Sequence, residues 1–329
     1  MSELHKFLFD GLPVRGIIVR LTDTWTDILQ RRESNTATGP WSPPVARLMG
    51  QMAAAGALMQ SNIKFNGALV LQVFGDGPVK LSVVEVQPDF GFRATATVQG
   101  KVLPQAALSQ MVNVNNEGRC AITLDPLERL PGQQPYQGVV PLFGDQKEKL
   151  EKLSEVLEHY MLQSEQLDTT LVLAANSQVA AGLLIQRLPL EGAGNLAGRY
   201  DSVERESALG KDEDYNRISI LSKSLKPEEL LGLDVETVLH RLFWEEPLLR
   251  FEPLLGEAGP RFHCSCSRER VGRMIKSLGV SEAESILSER ENIEVACEFC
   301  GAQYQFDPVD AASLFTQPEA SPPTGPAVH

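Results

Sequence analysis

The chain has 329 residues, of which 43% are hydrophobic and 22% charged, a balance typical of soluble globular proteins with two or three domains. Acidic residues outnumber basic ones by 43 to 30, and the formal net charge of −13 argues against nucleic acid or an anionic membrane as a partner. The longest apolar run, residues 52–59, is far shorter than the roughly 18 residues that span a bilayer, and no signal peptide is visible. We therefore expect a cytoplasmic protein.

The first part of the chain alternates between strand and helix patterns. The clearest β signal is a pair of apolar runs on either side of the turn residues Gly75-Asp-Gly-Pro78. An Ala- and Met-rich segment upstream is apolar almost all round, which predicts a buried helix. The predicted elements are a strand at Val14–Leu21, a helix at Pro43–Gln60, and strands at Ala68–Phe74, Val79–Val86 and Phe90–Val98.

The strongest helix signal is at Glu148–Gln163, where apolar residues recur every three or four positions. Two more strands are predicted at Thr169–Ala174 and Val179–Leu188. Strands, then a helix, then strands indicate a layered α+β fold for an N-terminal domain of residues 1–190. Cys120 is expected in or beside a strand as a small apolar residue.

The composition changes after Leu190. Residues 191–210 are rich in glycine, alanine and charge, which is typical of a linker. Short helices are predicted at Asp212–Ser224 and Pro227–Leu231, and Asp234 is expected to cap another. Because isolated helices of this length are marginal in water, residues 191–256 are expected to be a metastable region lying against something larger. The Pro-rich residues 313–329 are expected to be a disordered tail.

Four of the five cysteines lie near the C-terminus, as a C-x-C pair and a C-x-x-C pair with thirty residues between them. They are Cys264, Cys266, Cys297 and Cys300. Four thiolates on two short turns match a tetrahedral Zn²⁺ ion, which accepts sulfur ligands. A helical hairpin is expected between the pairs, with a capping box at Ser281–Glu284, and strands are expected on both sides of the second pair. The pattern predicts a small zinc-binding domain over residues 257–312.

The residues alone leave the role of this cluster open. One interpretation is a zinc site that only holds a small domain together. The other is a redox site, because thiolates as close as a C-x-C pair can oxidise with each other or with a neighbour once metal leaves. A thioredoxin-type role for Cys297 and Cys300 is disfavoured, since a strand rather than a helix follows them. His263 is a conceivable substitute ligand, but four cysteines already fill the shell.

Other functional classes fit these residues less well. An RNA-binding zinc ribbon would be basic, whereas residues 261–310 carry six Lys and Arg against nine Asp and Glu; a ribbon that binds another protein stays open as the alternative. A zinc enzyme needs an open coordination position, which four sulfurs do not leave. No G-x-x-x-x-G-K-[ST] motif occurs, and Gly192–Gly198 lacks the spacing of a dinucleotide loop, so no nucleotide is expected.

Several stretches carry a family resemblance. They are Cys264–Val271 and Val295–Phe306 around the cysteine pairs, together with Arg15–Leu21, Gly75–Pro78, Tyr136–Leu142, Ala181–Gln186 and Leu239–Glu246. These segments resemble the redox-regulated heat-shock protein of 33 kDa family, also called the 33 kDa chaperonin. Two features depart from the pattern: Cys120 has no counterpart in the family's switch, and residues 190–214 are longer and richer in glycine than expected.

The resemblance implies an ATP-independent chaperone (a holdase) rather than an enzyme, silent when reduced and bound to one Zn²⁺, and active when oxidised. It implies that the zinc ligands are Cys264, Cys266, Cys297 and Cys300, and that the redox disulfides are Cys264–Cys266 and Cys297–Cys300. Because zinc contributes ~10–16 kcal/mol to the folding of comparable small sites, metal loss is expected to unfold residues 257–312 and to open the helical region.

Opening is expected to expose an apolar patch that binds partly unfolded client proteins. The residues predicted for this client-binding patch are Leu239, Leu242, Phe243 and Trp244. The same exposure would drive self-association, so a homodimer is expected on oxidation.

Overall fold

A computed structural model describes residues 1–36, 38–128, 132–188 and 202–316, with the backbone alone in 202–212. Mixed sheets and helices confirm the predicted α+β fold. Part of the predicted linker, residues 191–201, and most of the predicted tail lie outside the described residues. None of the described helices combines the length and apolarity needed to cross a membrane.

The strands are β1 (Glu3–Phe9), β2 (Val14–Leu21), β3 (Gly67–Phe74), β4 (Val79–Val86), β5 (Gly91–Val98), β6 (Arg119–Pro126), β7 (Tyr136–Pro141), β8 (Thr169–Ala175), β9 (Ala180–Arg187), β10 (Leu248–Arg250), β11 (Leu254–Leu255), β12 (Arg261–Phe262), β13 (Ile293–Ala296) and β14 (Gln303–Phe306). The helices are α1 (Asp23–Ser34), α2 (Pro43–Asn62), α3 (Leu108–Val112), α4 (Leu153–Glu165), α5 (Ser202–Lys223), α6 (Pro227–Gly232), α7 (Val235–Phe243), α8 (Arg268–Leu278), α9 (Val280–Glu289) and α10 (Pro308–Thr316).

One sheet, called sheet A here, has the antiparallel order β10-β1-β2-β9-β8, and β11 also pairs with β1. The predicted strands at β2, β8 and β9 are confirmed. β1 was not predicted, because its residues ELHKFLF mix charged and apolar side chains and the strand depends on pairing with β2. In that pairing the ring of Phe7 occupies the space that a side chain at Gly16 would fill.

The second sheet, sheet B, has the order β12-β5-β4-β3-β6-β7. The predicted meander is confirmed as β3, β4 and β5, joined in antiparallel register. Cys120 is buried in β6, as its apolar surroundings in the sequence indicated. The short strand β12 lies parallel to β5 at the edge of the sheet, with Arg261 opposite Gly91. This edge position brings the C-terminal cysteines to sheet B.

Helix α2 packs against both sheets and fills the centre of the N-terminal body. Its predicted burial is confirmed, since 14 of its 20 residues are buried. Its last turn contains no basic residue, and two cations from sheet A serve instead: Lys6 Nζ donates to Ser61 O at 2.7 Å, and Arg15 Nη1 donates to Asn62 O at 3.5 Å. A helix C-terminus carries partial negative charge, so these cations stabilise its exposed carbonyls.

Three helix boundaries differ from the predictions. α4 begins at Leu153 rather than Glu148, because Phe143 and Lys149 pair as a β-bridge and the residues between them form a turn, in which Lys147 N donates to Gly144 O at 2.9 Å. The predicted capping box at Ser281–Glu284 is wrong: α9 begins at Val280 directly after Gly279, without a side-chain cap. α10 continues to Thr316, so residues 313–316 of the predicted tail are helical.

Helix α5 is also longer than predicted. It begins at Ser202 instead of Asp212, so residues 202–210, which were interpreted as linker, are helical. The glycine and the charged residues of this stretch suggested a loop. The whole of α5, 22 residues long, nevertheless forms a helix, because its C-terminal half packs on sheet A. The predicted helix α6 is confirmed, as is the Asp234 cap of α7, whose Oδ1 accepts from Thr237 N at 2.9 Å.

The helices α5, α6 and α7 lie together on the outer face of sheet A, and we call them the helical cover. A single apolar cluster joins the cover to the sheet. The sheet contributes Phe7, Phe9, Val14, Ile18, Ala174, Val179, Ala181, Leu183 and Ile185, and the cover contributes Tyr215, Ile218, Leu225, Leu230, Val235, Val238, Leu239, Leu242 and Phe243. The short helices therefore gain their stability from burial rather than from helix propensity.

Candidate metal centre

The four C-terminal cysteines converge at one point. Cys264 and Cys266 follow β12, and Cys297 and Cys300 lie where β13 turns into β14. Their four Sγ atoms lie within 4.8 Å of one another. Cys264 Sγ is 3.7 Å from Cys297 Sγ, and Cys266 Sγ is 3.3 Å from Cys300 Sγ. The structure thus brings together all four residues that the cysteine spacing selected.

The second pair lies in a tight turn. Cys297 N donates to Ala302 O at 2.8 Å, and Gly301 N donates to Cys297 O at 2.8 Å. Gly301 has a φ of +76°, in the left-handed region that favours glycine, so this residue lets the turn close. The next strand adds Tyr304, whose hydroxyl donates to Cys266 Sγ at 3.1 Å and links the two pairs.

The donor set fits a tetrahedral metal ion. Zinc–sulfur bonds of ~2.3 Å place neighbouring sulfurs ~3.8 Å apart in a tetrahedron. The observed separations of 3.7 and 3.3 Å are close to this value. His263 is outside the group; its backbone N donates to Phe92 O at 3.0 Å and extends the pairing of β12 with β5. The four cysteines could therefore hold one metal ion, and four sulfurs leave no position for a substrate.

Arg93 of β5 connects the cluster to sheet B. Its Nη1 lies 3.8 Å from Cys264 Sγ, and its guanidinium carbon lies 4.3 Å from the centre of the Phe299 ring. An ion pair of 2.7 Å with Glu85 on the neighbouring strand holds the guanidinium in place. Arg93 thus contacts both cysteine segments, since Phe299 lies between Cys297 and Cys300.

Two more polar side chains of the N-terminal body bind the second cysteine turn. Thr95 Oγ1 donates to Glu298 O at 3.2 Å, and Asn35 Nδ2 donates to Cys297 O at 3.4 Å. Sequence reasoning missed Asn35, Arg93 and Thr95, because they lie 171 to 262 positions away from their partners along the chain. No local pattern in the sequence marks them.

The clustered thiols titrate as a coupled group. The hydrogen bond with Cys297 lowers the pKa of Cys264 to about 4, and Arg93 acts in the same direction. The same bond raises the pKa of Cys297, which keeps the shared proton. Burial raises the pKa of Cys300 to about 11. The cluster therefore favours a thiolate at Cys264, and thiolates are both metal ligands and nucleophiles.

Cys120 has a different environment. It is completely buried in β6, and burial raises the pKa of its thiol to about 12. A protonated and enclosed thiol is a poor nucleophile and a poor ligand. The fifth cysteine therefore shares neither the position nor the chemistry of the cluster.

Residues 264–316 enclose a small apolar core of their own. The predicted helical hairpin is present as α8 and α9, and β13 pairs with β14 beside it. The buried side chains of this core are Ile275, Ala283, Ile293, Phe306 and Ala311. Three large side chains are few for a segment of this length, so a metal ion held by the four cysteines would add substantially to its stability.

The predicted client-binding residues lie at the end of the helical cover. Leu239, Leu242 and Phe243 are buried against sheet A, and the Phe243 ring centre lies 5.0 Å from that of Phe9. Trp244 differs from the prediction: 68% of its surface is already exposed, so opening of the cover is not needed to uncover it. α7 ends at Phe243, and Trp244 lies outside the face that packs on the sheet.

A strap of residues 244–263 leads from the cover to the cysteines. β10 and β11 in this strap pair with β1 at the edge of sheet A, and β12 pairs with β5 of sheet B. Thr24 Oγ1 of α1 donates to Pro260 O at 2.7 Å and fixes the strap between the two sheets. The helical cover and the cysteine cluster are therefore the two ends of one ordered segment.

Comparison with known proteins finds relatives over nearly the whole chain. Residues 2–307 match the family described as Hsp33 protein. The chain is 42% identical over 316 residues to the 33 kDa chaperonin of Chromobacterium violaceum, covering 95% of this chain and 94% of that one. It is 41% identical over 317 residues to the 33 kDa chaperonin of Methylobacillus flagellatus, covering 96% and 94%.

The fold is also similar to that of a solved structure. The crystal structure of the 33 kDa chaperonin from Thermotoga maritima matches with a TM-score of 0.69 at 18% identity, covering 95% of this chain and 97% of that one. The resemblance seen in the cysteine pattern is thereby confirmed over nearly the whole length. The chain belongs to the Hsp33 protein family.

Proposed function

We propose that this chain is a redox-regulated, ATP-independent holdase of the cytoplasm, and not an enzyme. The proposed parts are a chaperone core in residues 1–190, a metastable linker region in 191–256, and a redox-switch domain that begins at residue 257. The observation that carries the proposal is the strap, which joins a four-cysteine cluster to helices that cover an apolar face.

In the proposed resting state, the four clustered cysteines hold one Zn²⁺ per chain. The bound ion keeps the sulfurs as thiolates and adds folding free energy to the small domain. Arg93 and Thr95 then keep the cysteine turn against sheet B. The cover stays on sheet A, and the chaperone is inactive.

Oxidation by peroxide is the proposed signal. For each disulfide, two thiolates give two electrons to one hydrogen peroxide, which takes up two protons from solvent and is reduced to two water molecules. The proposed bonds, which follow the family resemblance, are Cys264–Cys266 and Cys297–Cys300. In the reduced cluster the 3.7 and 3.3 Å contacts join the two pairs to each other. Disulfides within each pair leave no covalent link between the pairs, so the two segments can separate.

Loss of the cluster acts on the cover through the strap. Once residues 264–316 unfold, β12 loses the anchor on its C-terminal side. The strap then keeps its short pairings with β1 and β5 and a few side-chain contacts, such as the bond from Thr24 to Pro260 O and the ion pair of Arg261 with Asp89. Two- and three-residue strands contribute few hydrogen bonds, so their release requires little energy. Release of the strap frees the C-terminal end of α7 and lowers the cost of lifting the cover.

The surface beneath the cover suits partly unfolded clients. Phe7, Phe9 and Ile18 on sheet A and Leu239 and Phe243 on the cover are buried against one another in the closed state. Separation exposes both faces together, which gives a continuous apolar surface. The same surface makes a homodimer of the oxidised chain the expected assembly.

The proposal is tested by light scattering of a thermally unfolding client in the presence of reduced, zinc-loaded protein or of the same protein after peroxide treatment. We expect suppression of aggregation after oxidation and not before it, without added ATP. Cys120→Ser serves as the control and should behave as the unmodified chain. Equal activity before and after oxidation would show that the chain is not redox-regulated.

A further inference from the structure

Arg20 lies near the end of β2, on the face of sheet A that the helical cover occupies. It is opposite Ala181 in β9 and two positions from Ile18, both of which belong to the apolar cluster beneath the cover. A guanidinium placed beside such a cluster needs polar partners. Among the described residues, no carboxylate forms an ion pair with Arg20.

The partners of Arg20 are backbone carbonyls of the cover. Its Nη1 donates to Leu230 O at 3.3 Å, Leu231 O at 2.8 Å and Leu233 O at 3.0 Å. These three carbonyls lie at the C-terminal end of α6. One cation from the core therefore contacts the end of a linker helix at three points.

Helix α6 lacks the means to stabilise this end itself. It is a six-residue helix, its last turn contains no basic residue, and its C-cap residue Leu233 has an extended backbone. The last carbonyls of a helix have no partners within the helix and carry partial negative charge. Arg20 supplies both the missing donor and the missing positive charge from sheet A.

Helix α6 is in turn bound to α7. Arg241 of α7 forms an ion pair with Glu229 of α6 at 2.5 Å. Leu230 and Leu239 are buried in the same apolar cluster. A restraint on the end of α6 therefore also restrains α7, which carries most of the predicted client-binding residues.

We infer that Arg20 is a positioning residue: it latches α6, and through α6 also α7, onto sheet A, and so sets how readily the client-binding surface opens. The latch is separate from the cysteine cluster, because Arg20 reaches the cover directly from β2. Its role in client binding rests on the proposed function, whereas its role in holding the cover does not.

The test measures hydrogen exchange of the full chain, reduced and loaded with zinc, for Arg20→Met, Arg20→Lys and Arg217→Met. Methionine keeps the apolar stem of arginine and removes all donors, and lysine keeps the charge without the guanidinium fork. Arg217 is the matched control, since it bonds Glu246 at 3.0 Å and Asp214 at 3.2 Å, both within residues 202–256. Zinc content and aggregation suppression without peroxide are measured on the same samples.

We expect hydrogen exchange over residues 227–243 to be roughly 10- to 100-fold faster in Arg20→Met, because hydrogen bonds from a charged donor to partly buried carbonyls are lost. Arg20→Lys should give an intermediate rate, and Arg217→Met a change of less than about threefold. Zinc content should stay the same, and reduced Arg20→Met should hold clients without peroxide. If Arg20→Met does not fold, the Arg20→Lys rate alone decides the inference.

Unchanged exchange over 227–243 would overturn the latch, as would equally faster exchange in β3 and β4, which would indicate general destabilisation. A reduced Arg20→Met variant with fast exchange that binds no client, beside an oxidised wild-type chain that does, would overturn the link between the latch and client binding. If the oxidised wild-type chain binds no client either, the proposed function fails and the exchange result still decides the latch.

Discussion

Removal of the metal from the reduced protein is expected to unfold residues 264–316 and to leave both large sheets intact. The apolar core of this segment contains three large buried side chains, Ile275, Ile293 and Phe306. At about 1.5–3 kcal/mol for each, they contribute roughly 5–9 kcal/mol before any loss of chain entropy is counted. A structural zinc site contributes about 10–16 kcal/mol. A zinc ion bound at the four cysteines would therefore contribute more than the three fully buried side chains together.

The measurement is hydrogen exchange on protein treated with a chelator, with the thiols kept reduced by a phosphine so that disulfides do not contribute. β13, β14 and α8 should lose their protection, and β3 and β4 should keep theirs, because the N-terminal core contains many more buried side chains around α2. Restoring zinc should restore protection. Metal-free, reduced protein that stays protected over 264–316 would refute the argument and assign the stability of this segment to its own packing.

Three further predictions concern single side chains. Serine at any one of the clustered cysteines should abolish stoichiometric zinc binding, whereas Cys120→Ser should keep one equivalent by metal analysis; equal loss in both would contradict the ligand assignment. Gly16→Ala should lower the free energy of unfolding in urea by about 1–3 kcal/mol, because the new methyl group overlaps the Phe7 ring, and an unchanged midpoint would show that β1 adapts. Asp234→Ala should remove the cap bond with Thr237 and speed hydrogen exchange in the first turn of α7, so unaltered exchange in α7 would count against the cap.

Much of this protein follows from local sequence patterns. Apolar runs of strand length around Gly75–Pro78 predicted β3 and β4, and continuous apolar character predicted that α2 is buried. The two cysteine pairs predicted a joint site, because sulfur spacing within a turn is a local property. Each of these signals depends on residues that lie within one element or one turn of each other.

Other features have no local signal. β1 becomes a strand because β2 pairs with it, and the latter half of α5 is stable because sheet A lies beneath it. The sequence also predicted too late a start for α5, at Asp212 instead of Ser202, and too early a start for α4, at Glu148 instead of Leu153. Helix propensity does not include the tertiary contacts that extend or end a helix. These outcomes depend on surfaces that exist only after folding.

The sequence by itself determined the α+β class and the four clustered sulfurs, because composition, periodicity and spacing depend on neighbouring residues, and its resemblance to known sequences indicated the family. Only the tertiary structure decided which side chains serve that cluster and its cover. Arg93 meets Cys264 across 171 positions, and Arg20 meets Leu231 across 211. A half-buried cation is stable wherever the fold supplies a sulfur or a carbonyl oxygen as its partner. No pattern along the chain specifies that partner, because the packing of sheets and helices in three dimensions decides which atom lies within reach.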